Sequence, residues 1–301
     1  SWVVDSERMA NVELPASMLA SYRQRCLALG TKTLGILEAA ACQGNVFSVE
    51  VLCAQTNTPF KQTFRHLREA EEAGLIFRER SGRGVTGAML AATSETACRF
   101  THTRVREVLY HSLDVAKREV LHLNLGRYLR AHPRALGDAQ RQALVVEHMA
   151  RGYLRIESLT ERLWLVRAHL GSAKLARSER AFQTAATLCT RAREMLPAQV
   201  WGEHLELRIE LGEQQHSSQF LSGKTQQGLK GLDTLAETID DPVRRAKTEQ
   251  LAASLCLWDG DFVASVDRCI ATLNRLGVEL LQASDAEEEL INHVEKLLHG
   301  W

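Results

Sequence analysis

The chain has 301 residues, 45% of them apolar and 25% charged, and its 37 Lys and Arg balance its 37 Asp and Glu to a formal net charge of zero. That length suits two domains, or one small domain with a repeat array, and the charge balance argues against nucleic acid as the main partner. No apolar run nears the roughly 20 residues of a membrane-spanning helix. The start, Ser1-Trp2-Val3-Val4-Asp5, has neither a Met nor signal-peptide architecture, so the expectation is a cytoplasmic chain that begins inside a longer protein.

Residues 1–16 read as the end of a preceding module, with Trp2, Val3 and Val4 as a last strand. Pro15 and Ser17 mark a helix start, and the periodicity of Leu19, Tyr22, Cys26 and Leu29 predicts a helix over 18–29 that Gly30 ends. Thr31 reads as the cap of a helix over 32–43, closed by Gly44 and Asn45. Ser48 caps 49–55, Thr56-Asn57-Thr58 turns, and Pro59 opens a helix over 60–73, a helix-turn-helix pattern. A strand over 75–80 follows Gly74, Ser81-Gly82-Arg83-Gly84 turns, and a second strand ends near Arg99 and Phe100. Residues 85–97 between them form a long, weakly patterned wing.

From His102 onward the pattern is helical: 103–113 with 117–132, then 139–154 with 159–175, then further pairs. A small residue begins the second helix of each later pair, at Ala185, Gly228 and Ser265, and Gly223 and Gly260 precede the last two. The spacing is near the roughly 34-residue tetratricopeptide period, with longer helices. Small residues at these crossings let helices approach closely, and stacked pairs create a concave binding surface. The predicted fold is mainly α: a winged-helix domain with a small β-hairpin, then an α-solenoid of tetratricopeptide-like helix pairs. The expected division is 1–16, 17–133 and 134–301.

Three blocks carry a family resemblance: Leu14-Pro15-Ala16-Ser17-Met18-Leu19, Leu37-Glu38-Ala39-Ala40-Ala41-Cys42-Gln43-Gly44 and Leu67-Arg68-Glu69-Ala70-Glu71-Glu72-Ala73-Gly74-Leu75-Ile76. With Phe100-Thr101-His102-Thr103-Arg104-Val105-Arg106-Glu107-Val108-Leu109-Tyr110 and Leu123-Asn124-Leu125-Gly126-Arg127-Tyr128-Leu129, they resemble signalling ATPases of the STAND class. That class includes large ATP-binding LuxR-like regulators and AAA-type ATPase modules fused to kinases or cyclases. The likeness spans most of the chain and is strongest over 14–130. It implies a regulatory segment that lies downstream of an ATPase core binding ATP or ADP with Mg²⁺. It further implies that His102 contacts the nucleotide phosphate and that a protein partner or small inducer occupies the concave face of the repeats; Arg104 and Arg106, on the same helical turn as His102, could assist it. The output would be transcription or a fused signalling domain.

The residues themselves leave plainer roles open. His102 can be a helix cap or a buried structural imidazole, and the two Arg can be solvated. Lys61, Arg65, Arg68, Arg78, Arg80 and Arg83 would serve a DNA-binding winged-helix regulator, but Glu69, Glu71, Glu72 and Glu79 interrupt that patch. A pure repeat scaffold is the third reading. Ser222-Gly223-Lys224-Thr225 mimics a phosphate loop, yet the Gly that G-x-x-x-x-G-K-[ST] requires is Ser218, so the segment reads as a repeat turn. The Cys at 26, 42, 53, 98, 189, 256 and 269 lack zinc spacing and read as reduced core thiols. His66, His111, His122, His148, His169 and His204 are dispersed, with no H-E-x-x-H pattern and no paired-ligand spacing. Without a nucleophile elbow no hydrolase reading arises, and the chain alone is expected to be no enzyme and to hold no metal. Arg244, Arg245 and Lys247 read as a solvated face, and Asp285-Ala286-Glu287-Glu288-Glu289 as an acidic helix start.

Overall fold

The computed structural model describes residues 16–79, 96–132 and 138–278. The described residues are mainly helical, with fourteen α-helices and one small sheet. The chain divides after Ala168 into two compact units. The expected module end over 1–15, the wing with Arg80 and Arg83, and the acidic segment at 285–289 lie outside the described residues.

Unit 1 begins with α1 (Ala16–Leu27) and α2 (Thr31–Gln43). Thr31 is the first residue of α2 and not its cap: Gly30 holds that position with no side-chain hydrogen bond. After Gly44 and Asn45 comes β1 (Val46–Ser48), a strand that the sequence pattern does not announce. Ser48 then caps α3 (Val49–Thr56), its Oγ accepting from Val51 N–H at 3.3 Å. Asn57 ends α3 in the left-handed region at φ 49°, which an Asn tolerates better than most residues. After α4 (Phe60–Glu72) and Gly74 at φ +70° come β2 (Ile76–Glu79) and β3 (Ala97–Phe100).

The expected two-strand hairpin is therefore an antiparallel sheet of three strands, in the order β1-β3-β2. β3 is central, with Phe47 opposite Cys98 and Ile76 opposite Phe100. Its inner face joins Phe47 and Phe100, whose rings lie 5.2 Å apart, to a core containing Leu37, Leu52, Leu75 and Leu109. All six are at most 1% exposed.

β3 leads into α5 (Thr103–Ser112), α6 (Val115–Ala131) and α7 (Asp138–Arg151). α6 and α7 cross without room to spare. A Cβ on Gly126 would lie 2.5 Å from Met149 Cγ, and one on Gly152 would lie 2.4 Å from the Glu119 carbonyl. A short 3₁₀ turn (Tyr153–Arg155) precedes α8 (Leu159–Ser178), within which the division into units falls.

Unit 2 continues with α9 (Phe182–Glu194), α10 (Ala198–Glu203), α11 (Leu205–Leu221), α12 (Thr225–Glu237), α13 (Pro242–Asp259) and α14 (Phe262–Arg275). Equivalent positions recur. Arg180, Gly223 and Gly260, at φ 62°, 90° and 87°, each lie two residues before a helix. Ala185, Gly228 and Ser265 are the fourth residues of α9, α12 and α14, and all three are buried. At Gly228 a Cβ would meet the His216 carbonyl at 2.6 Å and Phe220 N at 2.7 Å; at Gly212 it would meet Leu235 at 2.7 Å. As one index rises the other falls, so α11 and α12 run antiparallel. Gly228 thus marks a close crossing, as the periodicity predicts.

Candidate functional site

Strand β3 delivers His102 to the start of α5. Phe100 anchors the strand in the core, Thr101 N–H donates to the Leu75 carbonyl at 3.0 Å, and the Thr101 hydroxyl donates to the Gly74 and Leu75 carbonyls at 3.1 Å. Backbone direction at the junction is thereby fixed from both sides. His102 is extended (φ −148°, ψ 145°) and is the N-cap: its Nδ1 accepts from Arg104 N–H at 3.1 Å. The ring stacks on Tyr22 of α1 at 6.3 Å and 26°.

This arrangement decides the chemistry of the ring. Nδ1 must be unprotonated to cap the helix, so the neutral imidazole carries its proton on Nε2. Nε2 is then a donor with no hydrogen-bond partner among the described residues. His102 is half-buried and caps the positive end of α5. The geometry can present one N–H to an anion.

The two neighbouring Arg differ. Arg104 pairs with Glu107 at 2.7 Å, both side chains about one-third exposed. It also lines a pocket of about 430 Å³ with Arg23, Cys26, Leu34, Val108 and His111. Arg106 is not a solvated companion to His102. Its Nε donates to the Ala41 carbonyl at 3.1 Å, and its guanidinium lies 5.8 Å from the Tyr110 ring centroid. It ties α5 to the end of α2.

The dispersed His include a buried cluster that the sequence does not reveal. His122 and His148 lie on α6 and α7 with near-parallel rings 5.1 Å apart and their Nδ1 atoms at 2.9 Å. His122 Nε2 meets the Tyr110 hydroxyl at 3.0 Å. The rings are 1% and 5% exposed. Burial lowers both from the usual imidazole value, His122 to about 3 and His148 to about 4, and nearby Arg151 adds repulsion on both. These are neutral structural imidazoles linking α5, α6 and α7. Glu38, also buried, accepts from Lys117 at 2.5 Å and from Ser112.

Among the described residues no group of three or more His, Cys, Asp or Glu is placed to hold a metal ion. Cys26, Cys42, Cys189 and Cys256 are buried, and desolvation raises the Cys42 and Cys189 thiols to about 12, far from a nucleophilic thiolate. Ser222-Gly223-Lys224-Thr225 is the turn between α11 and α12, preceded by a helix and not by a strand. On the surface of α4, Arg68 pairs with Glu72 at 3.1 Å and Arg78 of β2 pairs with Glu71 at 2.6 Å, so two of the cations considered for DNA are already engaged.

Arg244 of unit 2 departs from the solvated face expected of it. It is 17% exposed and not solvated, and it grips Glu213 through two bonds of 2.7 and 3.1 Å. Glu206 and Thr248 complete the set. The carboxylate partners come from α11, more than thirty residues earlier, a distance over which sequence spacing carries no signal.

No helix of the described residues is long and apolar enough to cross a membrane. No family model matches the chain, and no curated protein matches it. Among solved structures it is similar to a Signal Transduction ATPase with Numerous Domains (STAND) protein with a tetratricopeptide repeat sensor from Pyrococcus horikoshii. That match has 10% identity and a TM-score of 0.30, over 89% of this chain and 48% of the other. The chain therefore spans about half the length of that protein, and the score is too low to establish a shared fold.

Proposed function

We propose that this chain is the regulatory segment of a STAND-type signalling ATPase, with a winged helix in unit 1 as nucleotide sensor and tetratricopeptide-like pairs in unit 2 as the receiver of a partner or inducer. The supporting observation is the N-cap at His102. The capping bond occupies Nδ1 and turns Nε2 into a donor at a strand-to-helix junction. The sequence around it is the one that resembles the sensor segment of that class. In the full protein, Nε2–H would meet a phosphate oxygen of bound diphosphate and hold the resting state.

A hydrogen bond to a charged group contributes about 1.5–3 kcal/mol, which shifts a two-state equilibrium roughly 10- to 150-fold. The test is diphosphate release from the full-length protein with its ATPase module. His102→Asn keeps a side-chain cap, because Asn is a good N-cap, but removes the ring donor. Faster release by about tenfold or more from a folded His102→Asn protein supports the sensor. Unchanged release in that variant, with His102→Ala merely destabilised, would leave His102 a structural cap. The DNA-binding alternative makes a separate forecast, a salt-dependent gel shift by this chain, and a flat result at low salt ends it.

A further inference from the structure

Unit 2 holds a second pocket, of about 410 Å³, between the end of α9, α10 and the start of α11. Its size falls within the roughly 300–1,000 Å³ of small-molecule sites. Trp201, 8% exposed, supplies an apolar wall; Thr190, Arg193, Glu194, Arg208 and Gln215 bring polar groups to it.

Two guanidiniums and one carboxylate line this pocket. Arg193 donates to Gln215 Oε1 at 3.0 Å, and Arg208 reaches the Thr238 hydroxyl at 3.2 Å and its carbonyl at 3.5 Å. Among the described residues neither guanidinium pairs with a carboxylate, and Glu194 makes no ion pair with them. Elsewhere in unit 2, Arg244, Arg245 and Arg268 all have Glu or Asp partners. Arg208 Nε is, in addition, buried with no acceptor.

We infer that this pocket binds a small organic oxyanion on an apolar, ring-sized body, its head held by Arg208 and Arg193 and its body against Trp201. A guanidinium presents parallel N–H donors that match the oxygens of a carboxylate or phosphate. The inference deepens the inducer part of the proposed function and gives that inducer a chemical class.

The experiment is calorimetric titration of the 301-residue chain with 1-naphthoate, 1-naphthyl phosphate and the neutral 1-naphthamide. Saturable one-to-one binding of an anion, at least tenfold tighter than the amide, is expected; the preferred anion identifies the head group. Arg208→Gln should lose at least tenfold in affinity, and Arg208→Lys should not recover it fully, since Lys lacks the fork. Equal affinity for the amide, no saturation by either anion, or unchanged affinity in Arg208→Gln would overturn the site. The wild-type comparison of anion with amide decides the matter even if a variant fails to fold. No nucleotide is present in this assay, so its failure would leave the His102 reading standing, and failure of the diphosphate experiment would leave this site standing.

Discussion

In unit 1, helices and sheet close on large side chains from distant parts of the sequence: Phe47 against Phe100, with Leu37, Leu52 and Leu109 around them. Polar groups are buried there too, with His122 bonded to His148 and Tyr110, and Glu38 to Lys117. In unit 2 Ala185, Gly228 and Ser265 are buried at the fourth position of α9, α12 and α14, Gly228 where α11 and α12 cross, and Arg–carboxylate pairs such as Arg244–Glu213 and Arg268–Asp233 tie one helix to another. The difference lies in what each arrangement can hold still. A core of long-range contacts pins a single residue, His102, at one place and angle. Hairpins joined by small residues repeat a local geometry, and such arrays respond to ligands along their length.

Acid should separate the two chemistries most strongly. Both imidazoles of the buried pair are lowered in the folded state, to about 3 and about 4, against about 6.5 in the unfolded chain. The unfolded chain therefore binds more protons below pH 6.5. Stability from the pair is whole above that value and is lost as the pH falls toward the folded values. The charged groups facing the pair, Arg106 on α5, Arg118 on α6 and Arg151 on α7, all oppose protonation. At pH 5 the loss approaches about 2 kcal/mol per ring, about 4 kcal/mol for both as an upper bound. Denaturant midpoints at pH 7 and pH 5 measure it. A slope against pH equal to that of His148→Gln would show that the pair does not titrate with unfolding.

A smaller effect is expected where unit 2 depends on the absence of a Cβ. Gly228→Ala would place one 2.6 Å from the His216 carbonyl and 2.7 Å from Phe220 N, both backbone atoms that yield only if the helices part. The expected cost is about 2–3 kcal/mol, read by thermal unfolding. A neutral result would mean that α11 and α12 are not held at this crossing.

The smallest effect tests the repeat itself. Arg180 occupies, at φ 62°, the turn position that Gly223 and Gly260 hold in the following hairpins. A left-handed residue other than Gly costs about 1–2 kcal/mol, offset in part by the greater unfolded-state freedom of Gly. Arg180→Gly should therefore stabilise by about 0.5 kcal/mol, whereas Gly223→Ala should destabilise. If Arg180→Gly also destabilises, the three turns are not equivalent.

Much of this was legible in the sequence because it is local. Ser48, Gly74, Gly223 and Gly260 mark helix ends by their own backbone chemistry, and the recurrence of Ala185, Gly228 and Ser265 anticipates the close crossing at Gly228. His102 is visible as a helix start, since apolar periodicity begins just after it. What stayed hidden is made by residues far apart. β1 is three residues long and becomes a strand only when β3 pairs with it. His122 and His148 are twenty-six residues apart and meet because Gly126 and Gly152 let α6 and α7 come close; the flanking Leu121 and Leu123 were the available hint that His122 faces inward. Arg244 looked solvated because Glu206 and Glu213 belong to the preceding hairpin. The pocket at Trp201 has no motif, since its walls come from α9, α10 and α11.

One proton on His102 decides whether the sensor has its donor. If the helix cap holds Nδ1 of His102 as an acceptor, the neutral ring must carry hydrogen on Nε2. Nitrogen-15 chemical shifts of the imidazoles, with His102 assigned by its loss in His102→Asn, report this directly. The predicted result at pH 8 is a His102 signal pair with Nε2 protonated and Nδ1 bare. A ring protonated on Nδ1, or one averaging freely between tautomers, would contradict the cap and with it the donor on which the sensor depends.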